Sequence, residues 1–202
     1  TQSPSSAASD VYKRQALIET VLMISEKPID LVNPFIGVDG PGNTLCGPYT
    51  PFGLVRLGPD CLPPHPTNGY RSDRPLQGFT HTHVSGTGGE GRFGNLRVIP
   101  YLGAPDDIPE GFERSEEVAA VGFYGVCLSP GNIRVELTST PRCGICRFYF
   151  PEGSEANILI DAGAVHQFHP QRTAICTNAE ICWANDTPVS YTHLTLPTMD
   201  SV

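Results

Sequence analysis

Two histidines lie two residues apart, and hydroxyl residues and glycines follow them closely. Their alternation with neighbouring residues predicts a short strand over residues 79–84, which the small residues at 85–89 then end. Both imidazoles would point to the same face of that strand. Imidazoles, hydroxyls and backbone N–H groups together suit a polyhydroxylated ligand better than a metal ion or a phosphate. The candidate ligand-binding residues are His81, His83, Ser85, Thr87 and Gly88.

Other chemistries fit these residues less well. A zinc site would need a third ligand, and no regular spacing ties His65, His166 or His169 to the pair. The glycine-rich run at 86–91 lacks the Lys-Ser/Thr and the helix of a nucleotide-binding loop. A role for the histidines in hydrogen bonding within the fold remains open beside the ligand-binding interpretation.

The remaining reactive side chains give weaker signals. Asp39 and Asp60 are possible acid–base groups, but hydrolysis by paired carboxyls needs two of them close together, and the sequence does not show which ones lie together. Cys143 and Cys146 form a single C-x-x-C, and without a second pair ordinary buried thiols are favoured over zinc or redox chemistry. The scattered arginines fit a solvated surface better than a sugar site, and they are Arg56, Arg71 and Arg92.

Composition limits the class of protein. The 202 residues suffice for one domain, and the net charge of −8 argues against nucleic-acid or anionic-membrane partners. No apolar run approaches the ~18 residues of a membrane span. Seven irregularly spaced cysteines predict free thiols and a reducing, cytoplasmic location, with a secreted or periplasmic location as the alternative.

The elements that must position these side chains are short strands. The 21 glycines and 20 prolines punctuate the chain as turns, and no convincing helical period follows residue 25. The acidic stretch at 106–117 is predicted to be an exposed connection. This pattern predicts an all-β antiparallel sandwich. The predicted strands are 54–57, 79–84, 96–102, 118–121, 124–128, 133–138, 145–150 and 157–161.

Several motifs in a fixed order resemble the N-terminal domain of glycoside hydrolase family 92, the calcium-dependent exo-acting α-mannosidases. The similarity covers about residues 29–161. It is carried by residues 33–37, 42–44, 47, 51–53, 55, 57, 59–60, 69–70 and 78–88, then by 122–124, 135–138, 142, 144, 147 and 150–151. The chain departs from the family pattern at Cys46, Pro48, Thr80 and Cys146.

The resemblance implies a fold and a function. The fold would be an incomplete sandwich of the galactose-mutarotase-like supersandwich type. The chain would form the non-catalytic N-terminal part of an enzyme that hydrolyses terminal α-mannose with inversion. It would supply one wall of the mannose pocket through His81, His83, Ser85, Thr87 and Gly88.

A C-terminal (α/α)₆ barrel of the same chain would be its partner and would provide the acid and the base. The intact enzyme would use Ca²⁺, with neither a catalytic residue nor a metal ligand in this chain. The alternatives are a stand-alone carbohydrate-binding module and a purely structural support domain.

Both ends of the sequence resemble translated adapter read-through. The expected organisation is a non-native leader over 1–22, the sandwich domain over 23–188 and a non-native tail over 189–202. Met23 is the candidate natural start. The two end segments are therefore expected to make few contacts with the core.

Overall fold

The computed structural model describes residues 27–63, 68–83, 94–166, 176, 178–179 and 181. The chain divides into two compact units, residues 1–33 and 34–202. The first unit contains a short 3₁₀ helix at Pro28–Leu31. The second contains a 3₁₀ turn at Pro105–Asp107 and all the described strands. These strands are β1 Gly58–Cys61, β2 Leu76–Thr80, β3 Arg97–Leu102, β4 Glu113–Ala120, β5 Phe123–Ser129, β6 Ile133–Ser139, β7 Gly144–Tyr149 and β8 Ala156–Asp161.

The strands form two four-stranded antiparallel sheets. One sheet has the order β1-β2-β3-β8, and the other runs in sequence order from β4 to β7. Short turns join the strands of the second sheet, and the turns before and after β5 contain Gly122 and Gly131, both with positive φ. The predicted all-β antiparallel sandwich is confirmed. Within the described part of the chain no helix is long and apolar enough to cross a membrane.

The core lies between the two sheets. In β6 the side chains of Ile133, Val135 and Leu137 alternate inward and are almost fully buried. From the facing sheet, Phe79 packs into the same cluster and its ring centroid lies 6.4 Å from that of Phe148. Each such side chain contributes about 1.5–3 kcal/mol by leaving water, so this layer fixes the two sheets against each other.

A β-bulge in β4 corrects the prediction that residues 106–117 form an exposed connection. The register with β5 shifts between Ser115 and Val118, and Glu116 adopts φ of 50°. Because the extra residue reverses the alternation, Arg114 and Glu117 both point inward. The acidic stretch is therefore a connection only as far as Phe112, and its last part belongs to the second sheet.

Two predicted strands have different limits in the structure. In place of a strand over 54–57, Arg56 makes an isolated bridge with Tyr49, and β1 begins at Gly58. The predicted strand over 79–84 ends at Thr80. His81 and His83 thus lie just beyond β2, where the backbone has left the regular sheet and the two imidazoles need not share a face.

The cysteines of the described chain are free, and they are Cys46, Cys61, Cys127, Cys143, Cys146 and Cys176. Burial raises the pKa of Cys61 to about 11 and that of Cys146 to about 12. These two thiols behave as small apolar side chains packed in or against the core. The prediction of buried thiols for the C-x-x-C pair therefore fits Cys146 but is wrong for Cys143, which is exposed just before β7.

Candidate functional site

The predicted ligand-binding segment is described only at its start. Ser85, Thr87 and Gly88 lie outside the described residues. The ring of His81 is half-buried, with Nδ1 3.3 Å from the carbonyl oxygen of Leu96. It lies so close to Gly144 that a Cβ there would be 2.7 Å from the ring Cδ2. Burial lowers the pKa of His81, which favours its neutral form.

His83 is an interior residue with both ring nitrogens in contact with acceptors. Its Nδ1 lies 2.7 Å from the carbonyl oxygen of Arg56, and its Nε2 lies 2.8 Å from Oδ1 of Asp60. Only 4% of the residue is exposed. A carbonyl oxygen and a carboxylate oxygen are both acceptors, so each ring nitrogen of His83 faces an acceptor inside the domain. The ring is therefore fully used within the domain.

Asp60 is the centre of this cluster. Its Oδ1 also accepts a hydrogen bond of 2.6 Å from Nε2 of His166, and its Oδ2 lies 3.6 Å from Nε of Arg97. The carboxyl is completely buried. Burial alone would raise the pKa of Asp60, but the charges and hydrogen bonds of His166 and His83 outweigh it and hold that pKa far below its usual range. Asp60 is therefore a buried carboxylate anion.

Glycines allow these side chains to meet. Asp60 pairs with Gly78 across β1 and β2, and a Cβ on Gly78 would lie 2.9 Å from Cγ of Arg97. Because that Cβ is missing, the arginine can lie across β2 and reach the carboxylate. The ring of His166 likewise fits against Gly94, where a Cβ would lie only 2.2 Å from the ring Cδ2.

The geometry of the cluster is that of hydrogen bonds. Asp60, His83 and His166 could offer three ligand atoms within 4.8 Å of one another. However, the two oxygen–nitrogen separations are ordinary hydrogen-bond lengths, and Arg97 brings a cation beside the carboxylate. Calcium binds six to eight oxygen atoms, so one carboxylate and two imidazoles do not fit it. These residues therefore do not form the calcium site implied by the resemblance.

A small cavity borders His83. It is lined by Gly47, Gly58, Asn68 and Tyr70 among others, and it has room for about one water molecule. A hexose does not fit in it. Within the described residues, the cluster and this cavity therefore form part of the packed interior and do not enclose a sugar.

The sequence did not reveal this cluster. The sequence indicates Asp60 only as a candidate acid–base group and His166 only as a candidate metal ligand without regularly spaced partners. No pattern in the sequence indicates Arg97. The contact between Asp60 and His166 spans 106 residues, and no periodicity links positions so far apart. The sequence signal nearest to the cluster is three separate glycines, Gly69, Gly78 and Gly94, where the backbone is closely approached by the side chains of the cluster.

The structure defines a two-sheet antiparallel β sandwich with a buried polar cluster, and comparison with known proteins identifies its family. The family profile described as "Glycosyl hydrolase family 92 N-terminal domain" matches residues 31–190. The chain belongs to this family, as an N-terminal domain.

Solved relatives agree with this assignment. The family GH92 α-mannosidase BT3965 from Bacteroides thetaiotaomicron, solved in complex with mannoimidazole, is 33% identical with a TM-score of 0.65 over 75% of this chain. The GH92 family glycosyl hydrolase ccman5 is 30% identical with a TM-score of 0.60 over 68% of this chain. An uncharacterized secreted glycosidase of Arthroderma benhamiae is 28% identical over 148 residues, which is 64% of this chain. The chain spans 21% of the length of each solved relative and 19% of the fungal one.

Proposed function

We propose that this domain is part of an exo-acting α-mannosidase that hydrolyses terminal α-mannose with inversion, and that it forms one non-catalytic wall of the mannose pocket. The observation that carries the proposal is the likeness to the solved α-mannosidase, at 33% identity over 75% of this chain. A mannose-containing glycan is the proposed substrate. The remaining part of the pocket is assigned to a C-terminal (α/α)₆ barrel of the complete protein.

The chemistry of the described carboxyls supports a non-catalytic role. Inverting hydrolysis requires two carboxyls about 6.5–9.5 Å apart, one to protonate the leaving group and one to activate a water. Asp60 has no exposed surface and is held by two histidines. Asp39, the other candidate, accepts hydrogen bonds from the backbone and hydroxyl of Ser72. We therefore place the acid, the base and the proposed Ca²⁺ of the complete enzyme outside the described residues.

The segment from His81 to Gly88 is the proposed contribution to the pocket wall. A terminal sugar presents several hydroxyls, and Ser85, Thr87 and glycine N–H groups offer matching donors and acceptors. Since the ring nitrogens of His83 are engaged by Arg56 and Asp60, its proposed role is to hold this segment in place. The direct sugar contacts are assigned to the residues that follow it.

The test is the stereochemistry of hydrolysis by the complete protein. It is incubated with an α-mannoside, and the first product is observed by proton NMR before the sugar mutarotates. Release of β-mannose supports the proposal, and this chain tested alone should release none. Release of α-mannose, or no release of mannose at all, would contradict it.

A purely structural support role is the second candidate, and the burial of His83 beside a water-sized cavity favours it. Replacing Ser85 and Thr87 together by alanine in the complete protein distinguishes the two. If the domain forms a wall of the pocket, kcat/KM of the double variant should fall at least about tenfold. If the domain is only a support, kcat/KM should stay within about twofold, a free-energy change of about 0.4 kcal/mol.

A further inference from the structure

We propose that Asp60 is a positioning residue of the mannose-binding wall, because its carboxylate fixes both residues that flank positions 84–93. Those residues are His83 and Gly94. The inference rests on the proposed function, since it assumes that the segment from His81 to Gly88 meets the sugar. It assigns no proton transfer and no sugar contact to Asp60 itself.

The first flank is held through a chain of hydrogen bonds. The carboxylate of Asp60 binds Nε2 of His83, and Nδ1 of the same ring binds the carbonyl oxygen of Arg56 at 2.7 Å. The backbone N–H of Arg56 donates in turn to the carbonyl oxygen of His81 at 2.9 Å. The stretch 81–83 is therefore attached to residues 56–60 both by its backbone and by a side chain.

The second flank is held through His166. The same Oδ1 of Asp60 binds Nε2 of His166, whose ring lies directly against the backbone of Gly94. The N–H of Gly94 donates to the carbonyl oxygen of Thr82 at 2.7 Å, and the N–H of Asn95 donates to the hydroxyl of Thr82 at 2.9 Å. One carboxylate oxygen thus holds the chain on both sides of positions 84–93.

The negative charge is essential to this arrangement. Two N–H groups meet on one oxygen, and the guanidinium of Arg97 lies beside the other. A carboxylate oxygen can accept two such bonds, whereas an amide is a weaker acceptor and would present its NH₂ group to a histidine or to Arg97. Asp60→Asn therefore keeps the size of the side chain and weakens its hold on both flanks.

The domain offers a matched control in a second inward-facing carboxylate. Glu117 accepts hydrogen bonds from the hydroxyls of Tyr70 at 3.0 Å and Tyr124 at 2.6 Å, and its Oε2 lies 3.5 Å from Nε of Arg114. This cluster shares the chemistry of the first but makes no described contact with residues 81–83 or 94–95. Glu117→Gln should therefore reduce stability without altering the pocket.

The experiment uses the complete protein and an α-mannoside, with kcat and KM measured well below the melting temperature of every variant. Asp60→Asn should lower kcat/KM at least about tenfold, because small misplacements of binding groups cost up to about a hundredfold. It should also weaken mannoimidazole binding. Glu117→Gln should keep kcat/KM within about twofold at a similar loss of melting temperature. His166→Gln removes the ring that packs against Gly94 and should cause an intermediate loss of kcat/KM. This variant replaces Asp60→Asn in the test if Asp60→Asn does not fold.

The possible outcomes separate this inference from the proposed function. If the unmodified protein hydrolyses mannosides but folded Asp60→Asn stays within about twofold of its kcat/KM, only the positioning role is overturned. An equal loss in Glu117→Gln would overturn it too, since it would show a general effect of destabilisation. Failure of both Asp60→Asn and His166→Gln to fold would assign Asp60 to stability alone. An inactive unmodified protein would instead remove the proposed function on which the inference rests.

Discussion

Replacing Asp60 by Asn in this chain should cost about 3 kcal/mol of unfolding free energy, at the lower end of the roughly 3–5 kcal/mol for breaking a buried ion pair. The carboxylate accepts bonds of 2.6 and 2.8 Å from His166 and His83, and each such charged bond is worth about 1.5–3 kcal/mol net. Asparagine fills the same space and keeps one weaker acceptor, so part of this energy is lost and no cavity forms. The loss would be a large share of the roughly 5–15 kcal/mol of a typical domain.

The assay is urea unfolding at pH 7 of the unmodified chain and the variant. With a slope near 2 kcal/mol/M, the midpoint should fall by about 1.5 M while the slope stays unchanged. Asp73→Asn is the control, because Asp73 pairs with Arg71 at the surface and its side chain is 63% exposed. This control should change stability by less than about 0.5 kcal/mol. A loss below about 1 kcal/mol for Asp60→Asn would refute the reasoning.

The stability advantage of the unmodified chain over Asp60→Asn should shrink as the pH falls below about 4. Asp60 faces His83, His166 and Arg97, and its pKa in the folded chain is lowered. The unfolded chain therefore takes up the proton first as the pH falls. If urea titrations in acid show the same difference in unfolding free energy between the two chains as at pH 7, this prediction is contradicted. Gly94→Ala should cost at least about 2 kcal/mol, because φ is +82° and the new Cβ would collide with the ring of His166. A loss of unfolding free energy below about 1 kcal/mol for Gly94→Ala, measured by thermal unfolding, would contradict the packing of His166 against Gly94. Phe52→Gly should raise stability by about 0.5–1 kcal/mol, since Phe52 has φ of 58° and is fully exposed, and a lower melting temperature would contradict it.

Most of the fold could be predicted from the sequence because strands and turns are local signals. The alternation in β6 and the glycines of the turns on either side of β5 mark inward faces and hairpins within a few residues. The prediction was wrong at 54–57 and at the end of the strand over 79–84, where the turn chemistry overrides an apolar or alternating pattern. The bulge at Glu116 was also not predicted. An acidic run is typical of an exposed segment, and only the extra residue of the bulge turns part of this one inward.

The candidate site was less accessible to sequence reasoning. The motif around His81 and His83 was visible, but its partners come from distant strands and from His166, beyond the end of β8. The burial of His83 depends on the carboxylate of Asp60, which nothing in the sequence distinguishes as the partner of a histidine. Such long-range polar contacts are set by the packing of β1, β2 and β3, and no local pattern encodes them.

The most direct test of the central claim is a crystal structure of the complete protein with mannoimidazole, the compound bound in the solved relative. At least one polar atom of residues 81–88 should lie within hydrogen-bond distance of the sugar ring or its hydroxyls, about 3 Å. Asp60 should remain hydrogen-bonded to His83 and His166. A bound ligand surrounded only by residues outside this domain, with 81–88 out of contact, would contradict the claim that the domain forms a wall of the mannose pocket.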